Sequence, residues 1–133
     1  MREQTLAMSE SKGLRGRKVL VVEDEGMIAL LLEDMLADLG CDVAGSADTV
    51  EAALELVQGT AVIDVALLDV NLAGRPAFAV ADALRARETP VIFSTGYGEA
   101  GLRPADLGAP VLRKPFRAGE LAAALRQALK LEG

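Results

Sequence analysis

The sequence predicts a three-layer α/β domain, in which helices cover both faces of a parallel sheet. Five short runs rich in β-branched and other apolar residues alternate with segments whose apolar residues recur at helical spacing. The connections are short, and the runs are apolar on both sides, as is typical of parallel strands buried between helices. The candidate strands are Lys18–Val22, Val43–Ala44, Asp64–Val70, Pro90–Ser94 and Val111–Arg113.

The first half of the chain begins with a polar, basic stretch and continues with two strand–helix pairs. Residues 1–16 have no sustained period and are predicted to form a flexible N-terminal tail. Apolar residues at helical spacing from Ile28 to Leu39 predict the first helix, and the glycine after it is a typical stop. A capping box at Asp48–Glu51 predicts a second helix that ends at Val57 or Gln58.

The second half continues the alternation with one weak point. A loop is expected at Asn71–Gly74, and Pro76 is suited to the first turn of the third helix. The stretch Glu99–Ala109 contains two glycines and a proline, so a long helix is not expected there. The last helix is amphipathic, with leucines at 121, 125 and 129.

Composition excludes several function classes. The net charge of −6 disfavours nucleic acid and anionic membranes as partners. The chain has no histidine, which removes the usual general base and the commonest zinc ligand, and its single cysteine, Cys41, cannot form an intrachain disulfide. No signal peptide and no apolar run of the ~18 residues needed to span a membrane is present, so a cytoplasmic protein of one domain is expected.

Polar residues that suit a cation and a phosphoryl group lie at the ends of four predicted strands. Glu23 and Asp24 follow the first strand, Asp69 closes the third, Thr95 follows the fourth and Lys114 follows the fifth. The carboxyl ends of parallel strands meet at one edge of the sheet, where ligands bind. Three carboxylates there need compensation, and Mg²⁺ together with an ammonium group would provide it. A carboxylate in such a site can attack phosphorus and form an aspartyl phosphate.

These residues belong to four motifs that together resemble the receiver domain of response regulators. The resemblance covers Arg17 to Leu131 and implies a flavodoxin-like (βα)5 fold with strand order 2-1-3-4-5. It also implies a signalling protein, not an enzyme, that accepts a phosphoryl group from a histidine kinase or a histidine phosphotransfer protein. The motifs are Val-Val-Glu-Asp at 21–24, Leu-Leu-Asp-Val-Asn at 67–71, Phe-Ser-Thr-Gly-Tyr at 93–97 and Lys-Pro-Phe at 114–116.

The resemblance also assigns roles to single residues. Asp69 would be the phosphoacceptor, while Thr95 and Lys114 would supply a hydroxyl and an ammonium group to the phosphoryl oxygens. The Lys114–Pro115 peptide bond would be cis. The implied Mg²⁺ ligands are Asp24 and Asp69 directly, Glu23 through water, and Asn71 through its backbone carbonyl.

Two departures from the family pattern suggest how the signal leaves the site. Val111 stands three positions before the lysine, where the family usually has an aromatic residue. The sequence after Thr95 resembles that of stand-alone receivers with a Phe-x-Thr-Gly-Tyr motif. We therefore expect residues 17–131 to act without an output domain, through protein contacts or onward phosphotransfer. We also expect phosphorylation to pull residues 96–98 toward the site and to order residues 99–109, in place of a ring movement.

The sequence bears on three alternatives to a phosphorylated receiver. A phosphatase of the haloacid-dehalogenase type needs a second carboxylate two positions after its nucleophile, where this chain has Asn71. A flavodoxin-like flavin binder needs a glycine- and hydroxyl-rich loop after the first strand, where this chain has Glu23-Asp24-Glu25. A receiver that binds partners without being phosphorylated is not excluded by any residue of the sequence.

Overall fold

A computed structural model describes residues 13–96, 102–106 and 108–131 of the chain. Its five main strands form one parallel sheet in the order β2-β1-β3-β4-β5, which confirms the predicted α/β architecture and strand order. No helix in the described residues is long and apolar enough to cross a membrane. The elements are β1 (Lys18–Val22), α1 (Gly26–Asp38), β2 (Asp42–Ala47), α2 (Val50–Gly59), β3 (Val65–Asp69), α3 (Phe78–Ala86), β4 (Val91–Thr95), β5 (Val111–Arg113) and α4 (Ala118–Ala128).

The sheet lies between two apolar layers because successive residues of a strand point to opposite faces. In β1, Val19 and Val21 join the buried cluster formed with α1 and α4. Leu20 and Val22 join the cluster on the other face, formed with α2 and α3. Burying one such side chain stabilises the folded state by about 1.5–3 kcal/mol. The two clusters therefore hold the sheet in place, and with it the edge that carries the polar residues.

The second strand and the second helix differ from their predicted bounds. Strand β2 covers Asp42–Ala47 and pairs with the whole of β1, so it is longer than the predicted Val43–Ala44. Its glycine and serine have weak strand propensity, and only pairing with β1 makes them part of a strand. Helix α2 is capped by Thr49, whose Oγ1 accepts the Ala52 N–H at 3.1 Å, and not by Asp48 as predicted.

The predicted loop after β3 is an antiparallel hairpin of residues 71–76, called here the 71–76 hairpin. Its two turn residues, Ala73 and Gly74, have φ values of 51° and 85°, as two-residue hairpin turns require. Pro76 lies in the second hairpin strand, so its predicted place in the first helical turn is wrong. Helix α3 begins at Phe78 instead.

Between β4 and β5 the described residues contain a short 3-10 helix, Pro104–Asp106, and no long helix, as predicted. The Asp106 side chain is fully buried between two guanidinium groups. Its carboxylate lies 2.7 Å from Arg85 of α3 and 2.9 Å from Arg103. These ion pairs therefore hold the segment between β4 and β5 against α3. Residues 97–101 and 107, on which part of the expected ordering falls, lie outside the described residues.

An arginine that follows α3 stabilises the end of α2. Arg87 donates hydrogen bonds to the carbonyl oxygens of Val57, Thr60 and Ala61 at 2.6, 2.9 and 3.0 Å. The last carbonyl groups of a helix have no partner within it, so this side chain satisfies acceptors that would otherwise need water. The contact also joins two neighbouring helices on one face of the sheet.

Packing begins earlier in the chain than predicted. Leu14 belongs to the predicted flexible tail, but it is fully buried in the cluster with α1 and α4. Its carbonyl oxygen accepts a hydrogen bond from the Cys41 thiol at 3.4 Å. The expected boundary at Arg17 therefore falls inside the packed domain, while residues 1–12 of the predicted tail lie outside the described part of the chain.

Candidate functional site at the carboxyl edge of the sheet

The structure brings the predicted site residues together at one edge of the sheet. Asp69 and Thr95 end β3 and β4, whose register pairs Asp69 with Ser94. Glu23 directly follows β1, and Lys114 directly follows β5. Because the strands are parallel and in register, residues up to 91 positions apart in the chain touch here. The convergence predicted from the strand ends is therefore present.

Three carboxylates and one ammonium group form the centre of the site. One oxygen atom from each of Glu23, Asp24 and Asp69 can be chosen so that all three lie within 4.8 Å of one another. The Lys114 Nζ lies 2.8 Å from Asp69 Oδ2 and also donates to both oxygens of Glu23. The ammonium group thus bridges two of the carboxylates and partly compensates their repulsion.

The pKa values follow from this crowding. Burial, followed by the neighbouring Asp69 carboxylate, raises the pKa of Glu23 to about 8, although Lys114 acts in the opposite direction. Burial alone would lower the pKa of Lys114, but hydrogen bonds to Asp69 and Glu23 outweigh it and raise the pKa. Lys114 is therefore firmly protonated, and the three acidic side chains outnumber this one ammonium group.

The site opens to solvent on the side of Asp24 and Asp69. A pocket of about 420 Å³ lies there, while Glu23, only 2% exposed, lies beneath it. The donor set consists of oxygen atoms without imidazole or thiolate, which fits a hard cation such as Mg²⁺. The pocket is lined by Asp24, Glu25, Asp69, Asn71, Gly74, Gly96 and Lys114.

The 71–76 hairpin contributes contacts that the sequence analysis missed. The Ala73 N–H donates to Asp24 Oδ2 at 2.8 Å, and the Asn71 N–H donates to Asp69 Oδ1 at 3.1 Å. An ion pair between Arg75, in the second strand of the hairpin, and Glu51 of α2 joins the hairpin to the rest of the domain. An Ala-Gly pair between short strands is a weak turn signal, so the sequence offered little to predict this element.

Thr95, a further residue implied by the family resemblance, is joined to Lys114 through the backbone. Thr95 is buried, and its carbonyl oxygen accepts the Lys114 N–H at 2.9 Å. The Lys114–Pro115 peptide bond is cis, as expected. Val111 is half-buried and packs against the apolar cluster that contains Phe93. An aliphatic side chain thus occupies the place where the family usually has a ring.

An exposed apolar surface borders the site. Met27, Leu30 and Leu31 of α1 are 81%, 63% and 56% exposed. Beside them, a groove of about 370 Å³ runs from α1 to Pro115 and Phe116. Leu31 shares the helical spacing of the apolar residues of α1, but only Ala29, Leu32 and Leu36 of this helix are buried. Clustered exposed apolar residues of this kind mark interaction surfaces.

The sequence matches the response regulator receiver domain family over residues 19–126. It is 36% identical over 117 residues to the phyllosphere-induced regulator PhyR of Methylorubrum extorquens, a match that covers 84% of this chain and 43% of that protein. It is 38% identical over 114 residues to the transcriptional regulatory protein DltR of Streptococcus agalactiae, covering 82% of this chain and 50% of DltR. The chain thus spans about half the length of the curated relatives that it matches.

Solved structures that resemble this one include whole chains of similar size. SdrG from Sphingomonas melonis Fr1 superposes with a TM-score of 0.77 at 42% identity, covering 87% of this chain and 98% of SdrG. The PhyR response regulator REC domain of Erythrobacter litoralis has a TM-score of 0.77 at 33% identity, covering 91% of this chain and 95% of that domain.

Proposed function

The chain belongs to the response regulator receiver domain family, and from this premise we propose that it carries a phosphoryl group on Asp69. As a receiver it is a signalling protein and not an enzyme. The observation that carries the proposal is the position of Asp69 at a strand end, 2.8 Å from the Lys114 ammonium and beside two further carboxylates. We propose a histidine kinase or a histidine phosphotransfer protein as the donor, which implies a cytoplasmic location.

In the proposed reaction, a new P–O bond to the Asp69 carboxylate replaces the P–N bond to the donor imidazole. Lys114 already contacts Asp69, so its ammonium group is placed to neutralise phosphoryl oxygens as their charge reaches the site. The Thr95 hydroxyl belongs to the same strand edge and is the proposed second donor. The Thr95 hydroxyl and the Lys114 ammonium group are both hydrogen-bond donors that can reorient around the new anion.

We propose that Mg²⁺ is bound by Asp24 and Asp69 directly, by Glu23 through water and by the backbone carbonyl of Asn71. Bound there, Mg²⁺ would neutralise negative charge on the transferring phosphoryl group. The excess of carboxylate over ammonium at the site supports this proposal, as does the all-oxygen donor set. The Asp24 Oδ1 atom accepts no hydrogen bond that has been identified in the described part of the chain, since Oδ2 receives the Ala73 N–H.

The exposed apolar surface of α1 is the proposed contact for the phosphoryl donor. A donor histidine must come within bonding distance of Asp69, so the partner has to cover the rim of the pocket. Met27, Leu30 and Leu31 lie on that rim's apolar side and would be buried by such a partner. We propose that the signal then passes on by protein contact or by onward phosphotransfer, with the packed domain from Leu14 to Leu131 acting as a stand-alone receiver.

Intact-mass spectrometry after incubation with acetyl phosphate and Mg²⁺ tests the proposal. The wild-type chain should gain the mass of one phosphoryl group, and Asp69→Asn should lose this gain. Asp38→Asn removes an exposed carboxylate at the far end of α1 and is the matched control, which should label like the wild type. Equal labelling rates of the Asp69→Asn and Asp38→Asn variants would overturn the assignment of the phosphoacceptor.

A further inference from the structure

The 71–76 hairpin contacts two of the three carboxylates at the site through its backbone. Its Ala73 amide binds Asp24, and its Asn71 amide binds Asp69. Asp24 is separated from Ala73 by 49 positions in the chain, so this contact exists only because the hairpin folds back over the strand edge. No other hydrogen bond to the Asp24 side chain is identified among the described residues.

Two different contacts hold the hairpin in place, a buried leucine and an ion pair. Leu72 is 1% exposed and belongs to the buried cluster with α2 and α3. On the opposite strand of the hairpin, Arg75 pairs with Glu51 in the first turn of α2. A two-residue turn with two-residue strands would not be stable alone in water. These anchors let it present its amide groups at a fixed place.

We propose that the 71–76 hairpin is a positioning element of the cation site: the Ala73 amide fixes the Asp24 carboxylate in the orientation that leaves one oxygen facing the pocket. This inference rests on the proposed function, because the cation is the one expected at a receiver site. Asp24 is only half-buried and has two free side-chain torsions without this bond. Fixing it before the cation arrives removes an ordering cost from binding.

The contact also shapes the ligand set. With Oδ2 held by the Ala73 amide, Asp24 offers a single oxygen to a cation, and binding by both oxygens is disfavoured. Mg²⁺ prefers single oxygens from each carboxylate in near-octahedral geometry, whereas Ca²⁺ accepts bidentate carboxylates readily. The hairpin therefore favours Mg²⁺ over Ca²⁺, and loosening it should reduce this preference.

Gly74 allows the hairpin to be loosened without a steric clash. Its φ is +85°, where residues other than glycine are strained, and a Cβ at this position would meet nothing within 4 Å. Gly16 has φ +78°, is equally open and lies outside the site, so it provides a matched control. Gly74→Val and Gly16→Val thus add the same backbone strain at two places. Gly74→Asn adds a side chain of similar size that tolerates this conformation.

The experiment measures Mg²⁺ and Ca²⁺ binding by isothermal titration calorimetry on the wild type and the three variants. Thermal unfolding of the metal-free proteins is recorded alongside. We expect Gly74→Val to weaken Mg²⁺ binding by about two- to tenfold, the range for immobilising one side chain, and to weaken Ca²⁺ binding less. Gly16→Val should lose similar thermal stability but bind Mg²⁺ like the wild type. Gly74→Asn should restore most of the affinity.

Equal Mg²⁺ affinity of Gly74→Val and Gly16→Val would overturn the positioning role. If Gly74→Asn lost as much Mg²⁺ affinity as Gly74→Val, the positioning role would also be overturned. The size of the added side chain, and not strain in the hairpin, would then explain the loss. If the wild type bound no Mg²⁺, the proposed cation site would itself be wrong, and this inference would fall with it. The wild-type titration therefore separates failure of the proposed function from failure of the inference.

Discussion

Removing the charge of Asp106 tests whether ion pairs hold the connection between β4 and β5. The Asp106 side chain is fully buried and contacts Arg85 at 2.7 Å and Arg103 at 2.9 Å. Breaking a buried pair by removing one partner costs about 3–5 kcal/mol. The side chains of Arg85 and Arg103 are 44% and 29% exposed, so they can return to water. We therefore expect Asp106→Asn to lower the free energy of unfolding by about 2–3 kcal/mol, which is below that range.

Urea denaturation of Asp106→Asn and Asp82→Asn measures this effect. Asp82 binds the same Arg103 at 2.7 Å, but its side chain is 57% exposed, so its loss should cost much less. Arg103 also stacks over the Phe78 ring at 4.5 Å, a contact that both variants keep. Hydrogen exchange of residues 102–106 should accelerate in Asp106→Asn more than elsewhere, because this segment depends on the lost ion pairs.

The pH dependence of stability provides a second test of the Asp106 ion pairs. Burial would raise the pKa of Asp106, but hydrogen bonds from Arg103 and Arg85 outweigh it and lower the pKa. A carboxyl group whose pKa falls on folding contributes stability above its ordinary pKa of 3.8, and this contribution is lost as the pH falls further. The wild type should therefore lose its advantage over Asp106→Asn in acid. Equal stabilities of the Asp106 and Asp82 variants at neutral pH would refute the reasoning.

Four further outcomes are expected. Asp24→Ala should weaken Mg²⁺ binding in calorimetry and reduce the rise in melting temperature that Mg²⁺ causes, while the variant remains folded. Without Mg²⁺, stability should fall as the pH rises from about 4.5 to about 8, since Glu23 binds its proton more tightly in the folded state; Glu23→Gln should flatten this slope. Arg87→Ala should cost about 1–3 kcal/mol in urea denaturation, with Arg87→Lys intermediate. Beryllofluoride should raise exchange protection across residues 96–109; full protection beforehand would exclude an ordering switch.

The sequence by itself determined the fold class and which strand ends meet at the polar edge of the sheet. The run Val19–Val22 is apolar at every position, which only a strand covered on both faces tolerates. An acidic residue directly after an apolar run cannot continue it into the core, so Glu23 and Asp69 had to lie at the edge of the sheet. Lys114 follows the strand Val111–Arg113, whose last residue is already charged, and it lies at the same edge. Parallel pairing then brought these ends together. Local pattern and one topological rule were sufficient for this part.

Only the tertiary structure decided how those residues are held. The Asp24–Ala73 and Asp106–Arg85 contacts join residues 49 and 21 positions apart, and no local period marks either pair. Helical spacing likewise could not show that Leu31 stays exposed, because that depends on which neighbours cover α1. The spacing of apolar residues along the sequence shows which face of a helix or strand is apolar. Polar pairing is set by distances between elements, and those distances exist only once the two apolar layers have packed.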